Sequence, residues 1–168
     1  SGRCVEIQSG ATLEMTGGAI EAQSLQSAYA LINRGTATIS GGDIYGHTTS
    51  AATAVGFYNV GTSASITGGT FRAYAAKTTA YGINQNVNNT ITINNAIVRA
   101  EAVTSTAYAL ARSNGVMVVN SGKYNAVAPS TVAAVNVTNK AQITLQGGIY
   151  RTNTSIANCC ASGYGCYE

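Results

Sequence analysis

At 168 residues the chain has the length of one domain, and its 45% hydrophobic content is enough for a continuous core. Only 9% of residues are charged, the net charge is +3 and the mean hydropathy is +0.09. This excludes an intrinsically disordered chain, and no window gathers the lysines and arginines that a nucleic-acid backbone demands or the long apolar run that spans a membrane.

Residues 1–10 read as an N-terminal lead-in that carries Cys4, and Ser1 in place of methionine fits a processed export product. From residue 11 a phrase begins to repeat. It occurs at 15–20 (MTGGAI), 39–44 (ISGGDI), 66–71 (ITGGTF), 93–98 (INNAIV), 119–124 (VNSGKY) and 145–150 (LQGGIY). The mean spacing of 26 residues is a solenoid period. Before each glycine pair the pattern alternates with period 2, which turns Leu13/Met15, Ala37/Ile39, Ala64/Ile66, Ile91/Ile93, Met117/Val119 and Ile143/Leu145 inward. After it the alternation resumes with Ile20/Ala22, Phe71/Ala73, Val98/Ala100 and Tyr124/Ala126. Gly17, Gly18, Gly41, Gly42, Gly68, Gly69, Gly122, Gly147 and Gly148 are therefore the corner residues, where a sharp turn needs a backbone that side chains resist.

A second phrase keeps step with the first, at 28–31 (AYAL), 54–57 (AVGF), 80–83 (AYGI), 107–110 (AYAL) and 132–135 (VAAV). Each coil thus has at least three apolar segments. Parity does not settle whether Tyr29, Tyr81 and Tyr108 or their alanine neighbours point inward. Such short segments, rich in β-branched residues and separated by Gly, Asn and Ser, predict parallel strands stacked about 4.8 Å apart. The expected fold is a single all-β domain over residues 1–168, a parallel β-solenoid of about six coils over 11–151 with a Cys-containing cap or tail over 152–168.

The recurring apolar-x-Gly-Gly-x-apolar phrase resembles the repeats of right-handed parallel β-helices of the pectin-lyase-like superfold, especially surface adhesins and autotransporter passengers. The run from Gly17 to Ile20 reads like the GGAI element of the polymorphic outer-membrane proteins. The resemblance implies a right-handed β-helix at the cell surface or outside the cell, and carries over no catalytic residue.

The six acids do not gather on one coil; Glu14, Glu21 and Asp43, on neighbouring coils, are the only candidates for a glycosidase pair. His47, the only histidine, falls in a Thr/Ser-rich stretch that reads as an exposed loop without a partner. Neither a phosphate loop nor zinc-type cysteine spacing occurs, so no cofactor or metal is implied.

The four cysteines sit at the ends: Cys4, then Cys159, Cys160 and Cys166. About five coils of separation, on the order of 24 Å, keep Cys4 from pairing within its own chain. A head-to-tail neighbour would bring Cys4 to one of the other three. A free thiol, a vicinal bridge or a zinc site in the tail are the alternatives. Residues 1–43 carry a net charge of −2 and the remainder +5, which suits such a stack, with a column of Arg72, Arg99 and Arg151 beside Glu21 of the next copy.

The expected function is that of a secreted structural subunit, not an enzyme, that polymerises head to tail into an extracellular filament with an intersubunit disulfide. Its partner is itself. Three other readings stay open: a surface adhesin whose flat sheet and ten tyrosines bind glycan or host protein, an ice-binding protein with Thr/Ser pairs at 36/38, 63/65 and 90/92, and a polysaccharide-active enzyme.

Overall fold

The computed structural model describes residues 1–50, 52–139 and 141–153, together with the backbone of 160–161 and 166–167. Among these residues there is no helix and every strand pairing is parallel. The first coil carries β1 (Gly2–Ile7), β2 (Thr12–Met15) and β3 (Ala19–Ser24). The second has β4 (Ala28–Asn33), β5 (Thr36–Ile39) and β6 (Asp43–Thr48), and the third β7 (Ala54–Asn59), β8 (Ser63–Ile66) and β9 (Thr70–Ala75). The fourth is built from β10 (Thr79–Ile93) and β11 (Ala96–Ala102), the fifth from β12 (Thr106–Val119) and β13 (Gly122–Val127). The sixth has β14 (Thr131–Val137), β15 (Gln142–Leu145) and β16 (Ile149–Thr152), after which β17 (Cys160–Ala161) and β18 (Cys166–Tyr167) begin a further coil.

The chain is thus a parallel β-solenoid of about six coils with three sides. The first side runs β1-β4-β7-β10-β12-β14-β17, and the third β3-β6-β9-β11-β13-β16. The second runs β2-β5-β8 and continues through the long strands β10 and β12 to β15 and β18. One short strand cannot bury a face by itself; stacking coil on coil turns each inward position into a continuous apolar column. Residues 1–10, expected as a lead-in, supply β1 of the first coil: Val5 pairs with Leu31 and Ile7 with Asn33.

The alternation read from the sequence holds on the second and third sides. Ala37, Ile39, Ile66, Ile91, Ile93, Met117 and Val119 are buried, as are Ile44, Phe71, Val98 and Tyr124. Phe57 and Phe71 meet across the core with ring centroids 6.1 Å apart. Tyr124 and Tyr150 stack at 5.0 Å, and their hydroxyls donate to the carbonyls of Ser121 and Gly147 at 2.7 and 2.8 Å. Burial holds the Tyr124 phenol well above its ordinary range and pushes Tyr150 up to about 12.

At the corner between the second and third sides the second residue of each glycine pair adopts the left-handed conformation, with φ of 83° at Gly18, 97° at Gly42 and 95° at Gly69. In the fourth coil Ala96 occupies that row, and its Cβ disfavours positive φ. The left-handed residue therefore moves back by one, to Asn95 at φ 52°, a residue type that tolerates it. Above the first coil the first glycine of the pair serves close packing: a Cβ on Gly41 would lie 2.5 Å from the carbonyl oxygen of Thr16 in the coil below, whereas one on Gly17 would meet nothing.

The first side resolves the tyrosine question. Tyr29, Tyr81 and Tyr108 face outward in one column, while Ala30 and Leu31, consecutive in sequence, are both buried. From β4 to β14 the alternation slips by one at that point, in a row of Ala30, Gly56, Gly82, Ala109 and Ala134, all small and all buried, which the ladder of paired residues skips.

A buried polar column follows that row: Asn33, Asn59, Gln85 and Arg112, between Ile7 and Val137. Asn33 donates through Nδ2 to Asn59 Oδ1 at 2.8 Å, Gln85 through Nε2 to Asn89 Oδ1 at 2.6 Å, and Arg112 through Nη2 to the Asn89 carbonyl at 2.9 Å. Nε and Nη1 of Arg112, 2% exposed, have no partner among the described residues, and burial draws its pKa down to about 10. A buried charge without a counterion opposes folding. Replacing Arg112 with Met is therefore expected to stabilise the fold by about 1–3 kcal/mol, and a lower urea midpoint for Arg112→Met would contradict that assignment.

Candidate functional site

Four surfaces carry the residues singled out in the sequence: the two ends of the solenoid, the second side and the third side. At the N-terminal end the inward residues Val5, Leu13 and Ile20 are only half-buried, whereas their counterparts one coil on, Leu31, Ala37 and Ile44, are fully covered. β1, β2 and β3 each have one neighbour, so one edge of each strand is free among the described residues. Cys4 lies on β1 and is exposed. Glu6 beside it accepts from Arg3 Nη1 at 2.8 Å and Arg34 Nε at 2.6 Å, and these guanidiniums, Arg34 first, hold its carboxyl below the usual range.

At the other end β17 pairs with β14, setting Cys160 against Val135, and β18 pairs with β15, setting Cys166 against Ile143. Followed strand by strand, the column that starts at Val5 runs through Leu31, Phe57, Ile83, Leu110 and Val135 to Cys160. The column that starts at Leu13 runs through Ala37, Ala64, Ile91, Met117 and Ile143 to Cys166. Cys4 and Cys160 thus stand at opposite ends of the first side, six strand spacings or about 29 Å apart. Cys159 lies outside the described residues.

The second side presents the expected Ser/Thr pairs in register: Thr36 against Ser63 and Thr38 against Ser65, with Thr90 and Thr92 on the next coil. Glu14, Val116, Val118 and Gln142 interrupt the array.

On the outward face of the third side, one column holds Glu21, Tyr45, Arg72, Arg99, Asn125 and Arg151. The arginines expected in one column do share it. Arg72 and Arg99 are already paired, however, Arg72 with Asp43 through Nε and Nη2 and Arg99 with Glu101 at 2.9 Å. Glu14 lies on a different side from Glu21 and Asp43. His47 is not in a loop: it sits in β6, half-buried between two rings, stacked on Tyr45 at 5.7 Å and edge-on to Tyr74 at 5.0 Å. The Arg72 guanidinium lies 4.5 Å from the centre of the Tyr45 ring, a cation–π contact. Between these groups lies a hollow of about 160 Å³ lined by Tyr45, Arg72, Ala73, Tyr74, Arg99 and Glu101. Sequence reading found the arginines by their spacing, named His47 only as a loop residue, and missed Tyr45 and Tyr74, of which Tyr74 follows His47 by the same interval of 27 residues.

No protein-family model, curated protein or solved structure matches this chain.

Proposed function

We propose that this protein is a secreted structural subunit that assembles head to tail into an extracellular filament. The observation that carries the reading is the continuity of the parallel columns from end to end, which leaves, among the described residues, complementary strand edges at Val5 and Leu13 on one end and at Cys160 and Cys166 on the other. An open edge of this kind is a template for another strand, and a heterologous contact that does not close into a ring propagates as a filament. Seven layers on the first side correspond to an axial repeat of about 34 Å.

In such a stack Cys160 faces Val5 of the next copy, and Cys4 is the residue beside Val5. One strand spacing across and one residue along place the two Cα atoms about 5.8 Å apart, inside the roughly 4.4–6.8 Å that a disulfide spans. The two thiols would be joined with loss of two electrons and two protons to an oxidant of the extracellular medium. On the third side the described residues end one layer earlier, so Arg151 and Glu21 of the next copy lie two spacings, about 10 Å, apart; their contribution is to orientation and not to strength.

Denaturing electrophoresis of thiol-blocked protein tests the reading. A ladder of multiples of 17.1 kDa that collapses on reduction, and is absent from Cys4→Ser, is expected. A single monomer band in both lanes would remove the covalent link, and a ladder that persists in Cys4→Ser would move the bridge elsewhere.

A further inference from the structure

The chain has 15 charged residues and one histidine among 168. Against that background the centre of the third side is exceptional. Three adjacent rows on β6, β9 and β11 bring together Asp43, Tyr45 and His47, then Arg72 and Tyr74, then Arg99 and Glu101. Column stacking explains why like residues lie on like, but not why the only histidine, two tyrosines and two arginine–carboxylate pairs gather in one place while the flanking rows hold Ala19, Glu21 and Gln23 on one side and Lys123, Asn125 and Val127 on the other.

We propose that this patch is a binding site for a neutral sugar ring. The hollow of about 160 Å³ is well below the roughly 300–1,000 Å³ of sites for larger ligands, so it takes one ring and not an extended molecule. The Tyr74 ring offers an apolar face against which the C–H face of a pyranose lies, while Tyr45, covered by Arg72 and His47, helps to hold the wall of the hollow. The polar rim is made of pairs, Arg72 with Asp43 and Arg99 with Glu101, which present N–H donors and carboxylate acceptors side by side. A sugar hydroxyl donates and accepts at once and is matched by such a pair. Two guanidiniums and two carboxylates leave the four charged groups neutral in sum, and an anionic ligand would have to displace a carboxylate from its guanidinium. The site lies on the flank of the solenoid, away from both ends, so it is independent of end-to-end assembly.

Saturation-transfer NMR with the methyl glycosides of glucose, galactose and mannose, and galacturonate as the charged comparator, tests the assignment. Transfer to at least one neutral glycoside is expected at millimolar concentration, with affinity falling about tenfold or more in Tyr74→Ala and in the exposed substitution Arg99→Gln. Tyr74→Phe should retain binding, and Tyr108→Ala, on the first side, should leave it unchanged. Absence of transfer from every neutral glycoside, binding of galacturonate alone, or transfer that survives both Tyr74→Ala and Arg99→Gln would overturn the proposal.

Discussion

Replacing Phe71 with Ala is expected to cost about 3–5 kcal/mol, a large share of the roughly 5–15 kcal/mol that stabilises a domain. Phe71 is fully buried, stacked between Ile44 of the coil below and Val98 of the coil above, and packed against Phe57 across the core. Three of its neighbours belong to strands fixed by backbone pairing, so the vacated space cannot close without breaking register. Because each coil touches only the coils beside it, the damage stays local, and equilibrium unfolding in urea should split into two steps as the solenoid separates at the third coil. A loss below about 1 kcal/mol with one sharp transition would mean that the core collapses around the gap and that the coils are not independent units.

The second large effect concerns assembly. Val5→Asp and Leu13→Asp each place a carboxylate on an inward column at the open end, where the native side chain is half-buried in the free subunit. The cost to the free subunit is small, because water still reaches the group. In a head-to-tail stack the same carboxylate is sealed beneath the next coil without a partner, at a cost of about 3 kcal/mol or more. The critical concentration for filament growth, followed by sedimentation and electron microscopy, should therefore rise at least about a hundredfold. Thr38→Asp, on the exposed face of the second side, is the control and should leave growth unchanged. Equal growth of Val5→Asp and the native chain would remove the stacking of coil on coil across the junction, whatever the cysteines do.

The Arg112 and His47 findings show where local reading stops. Arg112 lies 27 residues after Gln85, 53 after Asn59 and 79 after Asn33, but nothing local marks this as an inward row, because the alternation slips by one at the Ala30 column. The same slip hid the orientation of Tyr29, Tyr81 and Tyr108: a period-2 rule assumes a straight strand, and here two consecutive residues face the core. His47 stands in a run of polar residues that reads as a loop, yet β6 continues through it because Gln23 and Tyr74, on the coils before and after, hold its backbone on both sides. The N-terminal residues were misread for the reverse reason: without a glycine pair ahead of them, only their pairing with β4 identifies them as a strand.

By itself the sequence determined the repeat of about 26 residues, the corners with glycine or asparagine, the inward residues of the second and third sides, and hence a parallel solenoid. These are consequences of local chemistry: left-handed backbone needs a missing or compact side chain, and a half-buried strand must alternate. Outside the repeated phrases, the tertiary structure alone decided which residues separated by one or more coils share a column. It set Cys160 above the column of Val5, gathered Tyr45, Arg72, Tyr74 and Arg99 around one hollow, and buried Arg112. Column membership depends on the exact length of every turn, since the coils here run from 24 to 27 residues, and a slip of a single residue within a strand moves a side chain from core to surface.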